Sequence, residues 1–319
     1  MFASVRDPTN DKKNKMLKDG LGDLFDQVTL VKLDFGDENS IKEAIKDMDY
    51  VISCASPIDL HGINGKNTVK EAVEGGRQII NACIGTNLKR LIQTCSTSCI
   101  IDYGKEDGFK CDESYFSPPD GVQCEYTKSK ILQEKEIRDI YASLPAEKKT
   151  FDIVYLLPGG IIGPPLLKNQ GSGAQLYADM MMGKGPSAFP RFYFGMCDVR
   201  ETARMHVEAI DKGKSGERYA LANYEPVHHM ILTKGLKEKY GKYGYKIRTK
   251  ELGGCALWTF GLFNKDAKYF YRTMDRRIYI SNEKIKKDLG YKEIPYEEMV
   301  DDAVKALIEL GYIEDKIKE

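Results

Sequence analysis

Phe151-Asp152-Ile153-Val154-Tyr155-Leu156-Leu157 is an almost continuous apolar run, ended by Pro158. A strand with one wet face alternates apolar and polar residues. A run without alternation reads as a strand covered on both faces, as in parallel sheets flanked by helices. Shorter strands precede it: Phe2–Val5, which alternates, Val28–Phe35, the apolar Tyr50–Cys54, and Arg90–Ser96. Segments with helical spacing lie between them. Asp11–Leu17 opens a helix that Gly20 is expected to stop, and Asn39 is expected to cap Ser40–Lys46, with Ile41, Ala44 and Ile45 inward. Thr68–Thr86 and Tyr126–Tyr141 read as longer helices, and the stretch from Ser96 to Glu113 as a loop. Strands alternating with helices need crossover connections, so the pattern predicts an α/β fold built on a doubly wound parallel sheet.

Beyond Pro158 the pattern loosens. Gly, Pro and aromatic residues rise through residues 159–193. A helix is expected after Asp198, a strand near Arg218–Leu221, and helices over Ile231–Tyr240 and Tyr296–Leu310. The expected division is a sheet-bearing domain over residues 1–157 and a smaller lobe over 158–319, threaded back into the first.

Lys and Arg together number 48, as do Asp and Glu, so the chain of 319 residues has no formal net charge. That balance argues against a nucleic-acid partner or a polybasic membrane patch. Eight cysteines without a C-x-x-C pair, and only four histidines, argue against a metal site. Apolar stretches are short or broken by Gly and Pro, and Met1–Asp7 has no apolar signal core, so a cytoplasmic location is expected.

The chemistry centres on Tyr126-Thr127-Lys128-Ser129-Lys130. On a helix, Tyr126 and Lys130 lie one turn apart on one face. A phenol ordinarily titrates near pH ~10 and a lysine near ~10.4; an ammonium beside a phenol favours the phenolate. Such a pair can move a proton near neutral pH. Thr94-Cys95-Ser96 lies about thirty positions upstream, at the end of a strand.

Ser96 followed by Tyr126-x-x-x-Lys130 resembles the catalytic set of short-chain dehydrogenases/reductases. Other stretches extend the likeness to the extended members of that family. Within those, the chain is most similar to the dihydroflavonol reductase, cinnamoyl-CoA reductase and 3β-hydroxysteroid dehydrogenase-like group. Val5-Arg6-Asp7-Pro8 matches the V-R-D-P after that group's second strand, Asp34-Phe35 the end of its third, and Ala55-Ser56-Pro57 the turn after its fourth. Pro158–Pro164 matches P-x-x-I-x-G-P, Asp198–His206 matches D-V-R-D-V-A-x-A-H, and Ser281–Tyr291 matches S-x-x-K-I-x-x-x-L-G-Y. The likeness spans Val5 to Leu310, and its motifs keep one order and spacing.

The resemblance implies a Rossmann-like fold and an oxidoreductase acting on CH–OH groups. Such an enzyme reduces a carbonyl or oxidises a secondary alcohol by hydride transfer. It implies Tyr126 as the proton donor to the carbonyl oxygen, Lys130 as the group that lowers its pKa and holds the ribose hydroxyls, and Ser96 as a hydrogen-bond donor to the substrate oxygen. It places the nicotinamide beside Pro158 and Ile161, the adenine amino group at Asp34 and Phe35, and the adenosine side along Ala55 and Pro57. Arg6, with Lys13 one turn inward on the helix, is where a fork of donors can hold a 2′-phosphate, whereas an NAD site favours an acidic residue there. NADP is therefore expected over NAD, with a small-molecule substrate that is partly aromatic or alicyclic.

One departure qualifies this. The group opens with a strand and G-x-x-G-x-x-G, whose turn seats pyrophosphate on a helix N-terminus. Here the sequence starts where the second strand is expected, and neither Gly20-Leu21-Gly22 nor Gly159–Gly163 joins a strand to a helix. In the order 3-2-1-4-5-6 that opening strand is central, so its neighbours are expected to show unpaired inner edges. The preferred expectation is a reading frame continuing upstream of Met1; the other is a relative that binds dinucleotide poorly and acts as a binding protein without catalysis. A sugar-nucleotide epimerase or dehydratase is a further alternative, which Arg248, Arg272, Arg276 and Arg277 could serve by holding phosphate. His206 reads as a satisfied helix residue, His228-His229 as a loop, Met180–Met182 as helix and pocket wall, and Trp258, Phe260, Phe263 and Tyr269 as pocket or packing aromatics.

Overall fold

The computed structural model describes residues 1–55, 68–102, 104–120, 124–167, 172–184 and 188–317. In chain order the first half holds β1 (Phe2–Val5), α1 (Asp11–Leu21), β2 (Thr29–Lys32), α2 (Glu38–Ile45), β3 (Tyr50–Ser53), α3 (Thr68–Cys83), β4 (Arg90–Thr94), β5 (Phe109–Cys111), α4 (Glu125–Ser143) and β6 (Asp152–Pro158). Then come β7 (Gly160–Ile162), α5 (Ser172–Met181), β8 (Phe189–Pro190), β9 (Tyr193–Phe194), β10 (Met196–Asp198), α6 (Val199–Lys212) and β11 (Arg218–Leu221). The rest is β12 (Val227–His228), α7 (His229–Tyr240), β13 (Glu251–Leu252), α8 (Gly254–Gly261), α9 (Lys265–Thr273), β14 (Ile278–Ile280), α10 (Glu283–Leu289) and α11 (Tyr296–Glu309). Residues 1–99, 116–157 and 206–219 form one compact unit; residues 100–115, 158–205 and 220–319 form a second.

In the first unit β3, β4 and β6 run parallel, Tyr50 opposite Arg90 and Arg90 opposite Asp152, and β11 begins beside β6. Arg90 reinforces that register: Nη2 lies 3.0 Å from Asp152 Oδ2, and Nη1 donates to the Ala209 and Ile210 carbonyls. The near-continuous apolar run of β6 is buried from Ile153 to Pro158, and so are Leu91 and Ile92 of β4. On α3, Ala72, Gly76, Ile79, Ile80 and Cys83 form the inward stripe. Gly76 sets how closely α4 approaches, since a Cβ there would stand 3.0 Å from Gln133 Cγ and 3.1 Å from Ile137 Cδ1.

β1 and β2 form a parallel pair of their own, Phe2 opposite Thr29 and Val5 opposite Lys32. Among the described residues no strand joins this pair to β3. A cavity of about 430 Å³ lies there, lined by Phe2, Ser4, Val31, Leu33, Tyr50 and Ile52 among others. Phe2, Tyr50 and Ile52 are 55%, 41% and 40% exposed, large values for apolar side chains on strands. The α/β class and the parallel, helix-flanked strands are as expected, but the sheet stands in two pieces.

Local boundaries depart from the sequence reading for identifiable reasons. Gly20 lies inside α1 and does not stop it; the helix ends at Gly22, whose φ of +54° is open to glycine without strain. Asp37, not Asn39, caps α2: its backbone is still extended, its carboxylate accepts from Ser40 N, and Asn39 is already helical. The presumed loop before Glu113 contains β5. His228 caps α7 and His229 is its buried first residue, so that pair is not a loop.

The second unit is held by short strand pairs, β7 with β10 and β5 with β14 in parallel, and by a helical core. Tyr177 and Met181 of α5 pack with Met230, Leu236 and Tyr240 of α7 and with Met299, Val304 and Leu307 of α11. Met180 and Met181 are thus core residues. Trp258, Phe260 and Phe263, by contrast, are more than half exposed on and just after α8.

Candidate functional site

The first unit brings Ser96, Tyr126 and Lys130 together. Ser96 follows β4; its Oγ lies 3.1 Å from Ser98 Oγ and accepts from Ser98 N at 3.1 Å. Tyr126 lies in the first turn of α4, and Lys130 one turn on, with its ammonium 5.9 Å from the Tyr126 ring centroid. Ser129, fully buried, donates to the Tyr126 carbonyl at 2.7 Å and ties down that first turn. Lys130 and Ser96 are 5% and 6% exposed, so any proton transfer there occurs largely out of water.

Burial sets the electrostatics. It pushes the Tyr126 phenol above its ordinary value, and the Ser96 hydroxyl, which stabilises the phenolate, pulls it partly back. Burial pulls Lys130 below its ordinary value; nearby cysteine thiols act against that. The expected downward pull of Lys130 on Tyr126 is therefore not what governs the phenol here. Tyr126 holds its proton through neutral pH, the form required of an acid.

Around this centre the structure adds residues that spacing did not reveal. Thr94 Oγ1 lies 2.8 Å from His206 Nε2 and 3.4 Å from Cys54 Sγ; His206 is buried, a satisfied helix residue of α6. Glu134, one turn beyond Lys130, lies 2.7 Å from Arg218 Nε, and both are at least 96% buried. Glu134 was legible as the next residue on the same helix face; Arg218, 84 positions away, carried no signal.

The residues expected at the adenosine end occupy the same unit. Arg6 follows β1 and Asp34 follows β2, so parallel pairing brings them to one sheet end, Nε 3.9 Å from Oδ2. The Arg6 side chain is 82% exposed. Lys13 is exposed on α1. Asp34 Oδ1 accepts from Gly36 N at 3.0 Å and closes a turn, and Phe35 packs its ring over Gly75 of α3. Ala55 is exposed just past β3; Pro57 lies outside the described residues. Pro158 and Ile161 belong to the second unit, Pro158 buried at the end of β6 and Ile161 exposed on β7.

Two of the arginines that could have held a sugar nucleotide are engaged elsewhere in the second unit. Arg277 grips Asp107, with Nη2 2.6 Å from Oδ2, and holds that carboxyl down at about 2; Arg276 donates to the Lys105 carbonyl. Among the described residues no group of three or more His, Cys, Asp or Glu is placed to hold a metal ion, and no helix is long and apolar enough to cross a membrane.

A family model, the 3-beta hydroxysteroid dehydrogenase/isomerase family, matches residues 9–177. The chain is 28% identical to cinnamoyl-CoA reductase 1 of Petunia hybrida over 317 residues, 98% of this chain and 85% of that one. It is 33% identical to dihydroflavonol 4-reductase of Solanum lycopersicum over 172 residues, 51% of this chain and 44% of that one. Among solved structures it resembles yeast methylglyoxal/isovaleraldehyde reductase Gre2 complexed with NADPH, with TM-score 0.76, 19% identity and coverage of 98% and 92%. Vestitone reductase from alfalfa superposes with TM-score 0.69, 23% identity and coverage of 98% and 91%. These superpositions establish the Rossmann-type fold of the extended short-chain dehydrogenases/reductases.

Proposed function

The chain belongs to the 3-beta hydroxysteroid dehydrogenase/isomerase family, and we propose that it is an NADP(H)-dependent reductase of carbonyl groups, with Ser96, Tyr126 and Lys130 as its catalytic residues. The observation that carries this is the buried cluster itself: a phenol that keeps its proton at neutral pH, a serine hydroxyl beside it, and a lysine one turn away on the same helix.

Whether the residues suit the dinucleotide divides by its parts. The exposed Arg6 guanidinium, at the carboxyl end of a parallel strand with Lys13 nearby on α1, suits a 2′-phosphate by geometry and charge. Asp34 and Phe35 stand at the same sheet end for the adenosine, and Ala55, just past β3, lines the same cavity as Phe35. Among the described residues of this unit no strand passes into a helix through a glycine-rich turn, so no pyrophosphate contact is assigned. When bound, NADPH supplies a hydride to the substrate carbon.

The protein's own part is orientation and proton control. As the carbonyl oxygen gains charge, Tyr126 Oη delivers its proton to it, and Ser96 Oγ donates a hydrogen bond to the same oxygen. Burial keeps water from competing for those contacts and strengthens them. The Lys130 ammonium steadies the phenolate left behind and is placed to hold a ribose hydroxyl. The relatives named for cinnamoyl-CoA and dihydroflavonol point to an aromatic carbonyl compound as substrate.

The test is NADPH consumption with a panel of aromatic and alicyclic aldehydes, ketones and CoA thioesters. We expect turnover with at least one aromatic carbonyl and its loss in Tyr126→Phe. Undiminished turnover in that variant would overturn the assignment. The epimerase reading has less support, since Arg276 and Arg277 are tied to residues 105–107.

A further inference from the structure

Lys130 and Glu134 are neighbours on the buried face of α4, yet the proton chemistry proposed above uses only the first. A buried carboxylate is costly without a partner, and Glu134 has one in Arg218 at the start of β11. Arg218 Nε lies 2.7 Å from Glu134 Oε1, and Nη2 donates to Glu134 Oε2 at 3.1 Å. The same Nη2 donates to the Cys99 carbonyl at 3.2 Å. Cys99 closes the short helical turn that begins immediately after Ser96, and its amide donates back to the Ser96 carbonyl at 2.9 Å. The Phe116 ring lies against the guanidinium, 4.1 Å from Cζ to centroid.

One guanidinium therefore ties the helix that carries Tyr126 and Lys130 to the turn that carries Ser96. The geometry points to Arg218 and Glu134 as positioning residues that set the distance between the Ser96 hydroxyl and the Tyr126 phenol. This rests on the proposed reductase reading for its kinetic consequence, but not for its structural one. The fork matters more than the charge, because a lysine reaches Glu134 as a point charge and cannot also hold the Cys99 carbonyl in the same plane.

The experiment uses protein labelled with carbon-13 at tyrosine Cζ, the Tyr126 signal being assigned by its loss in Tyr126→Phe. Arg218→Lys is expected to shift that signal and raise its titration midpoint, because the Ser96 hydroxyl no longer stabilises the phenolate. In the reductase assay, kcat is expected to fall about 10-fold or more while KM for the carbonyl changes less than about twofold, the mark of misplaced catalytic groups. Glu134→Gln, which keeps shape and some hydrogen bonding, is expected to lose less of both. It gives the same readouts if Arg218→Lys does not fold. An unmoved Tyr126 signal in the folded variants overturns the proposal. Wild-type protein without turnover but with a shifted Tyr126 signal in the variants overturns the reductase reading and leaves the positioning role standing.

Discussion

Lys130 holds its ammonium 5.9 Å from the centroid of the Tyr126 ring, one turn along α4, with both groups largely out of water. Burial raises the phenol and lowers the amine, so in the free protein the pair is poised as neutral acid and weakened cation. Tyr126→Phe removes the proton and nothing else of comparable size. Its kcat for carbonyl reduction is expected to fall by about 10²-fold or more, the usual scale for general acid catalysis, with NADPH affinity within about twofold. Because the acid form is the working form, kcat should stay flat through neutral pH and decline only on the alkaline side. A decline setting in below pH ~7 argues against Tyr126 as the acid.

Arg6 makes a separate prediction about cofactor choice. Its guanidinium is exposed and, among the described residues, pairs with Asp34 at a long 3.9 Å. A charged hydrogen-bonded pair is worth about 1.5–3 kcal/mol. Arg6→Ala is thus expected to weaken NADPH binding roughly 10- to 100-fold and leave NADH binding within about twofold. Equal losses for both, measured by fluorescence titration, would show that Arg6 does not meet the 2′-phosphate.

Much of this was legible in the sequence because it depends on local spacing. The strand-and-helix alternation gave the α/β class, and the four-residue interval of Tyr126 and Lys130 placed both on one helix face. Asp37 was hidden because Asn39 is an equally good capping residue by type, and only the backbone decides which of them is still extended. Gly20 misled because a glycine near a helix end reads as a stop, whereas the left-handed turn falls two residues later at Gly22. Arg218 was invisible because its partner lies 84 positions away, and no periodicity encodes such a contact. The expected depression of the Tyr126 phenol by Lys130 followed from charge alone; burial, which no sequence window reports, raises the phenol instead.

The separation of the β1–β2 pair from β3 gives a stability prediction. Ile52 and Ile92 face each other in register on β3 and β4. In the structure Ile52 lines the cavity and is 40% exposed, while Ile92 is fully buried. Ile52→Lys is expected to cost no more than about 1 kcal/mol, as at a surface site. Ile92→Lys buries an unpaired ammonium and is expected to cost several kcal/mol, on the order of the whole stability of a domain. Urea unfolding of the two variants decides the matter: comparable losses would mean that the β3 edge is covered.

His229 provides a pH prediction in the second unit. It is 1% exposed, stacked on Phe192 at 5.1 Å and 12°, and among the described residues neither ring nitrogen has a hydrogen-bond partner. Burial lowers it from its ordinary 6.5 to about 4, with His228 adding to the shift. The folded protein therefore binds this proton less readily than the unfolded chain. The stability held in its neutral form is complete above pH ~6.5 and is lost as pH falls toward ~4. At 1.36 kcal/mol per pKa unit the loss amounts to roughly 3 kcal/mol. His229→Phe keeps an aromatic ring on Phe192 and removes two unpartnered polar atoms, so it is expected to be at least as stable as the parent at pH 7. Its urea midpoint should also fall less between pH 7 and 4. Parallel losses in both proteins over that range would show that another group carries the acid sensitivity.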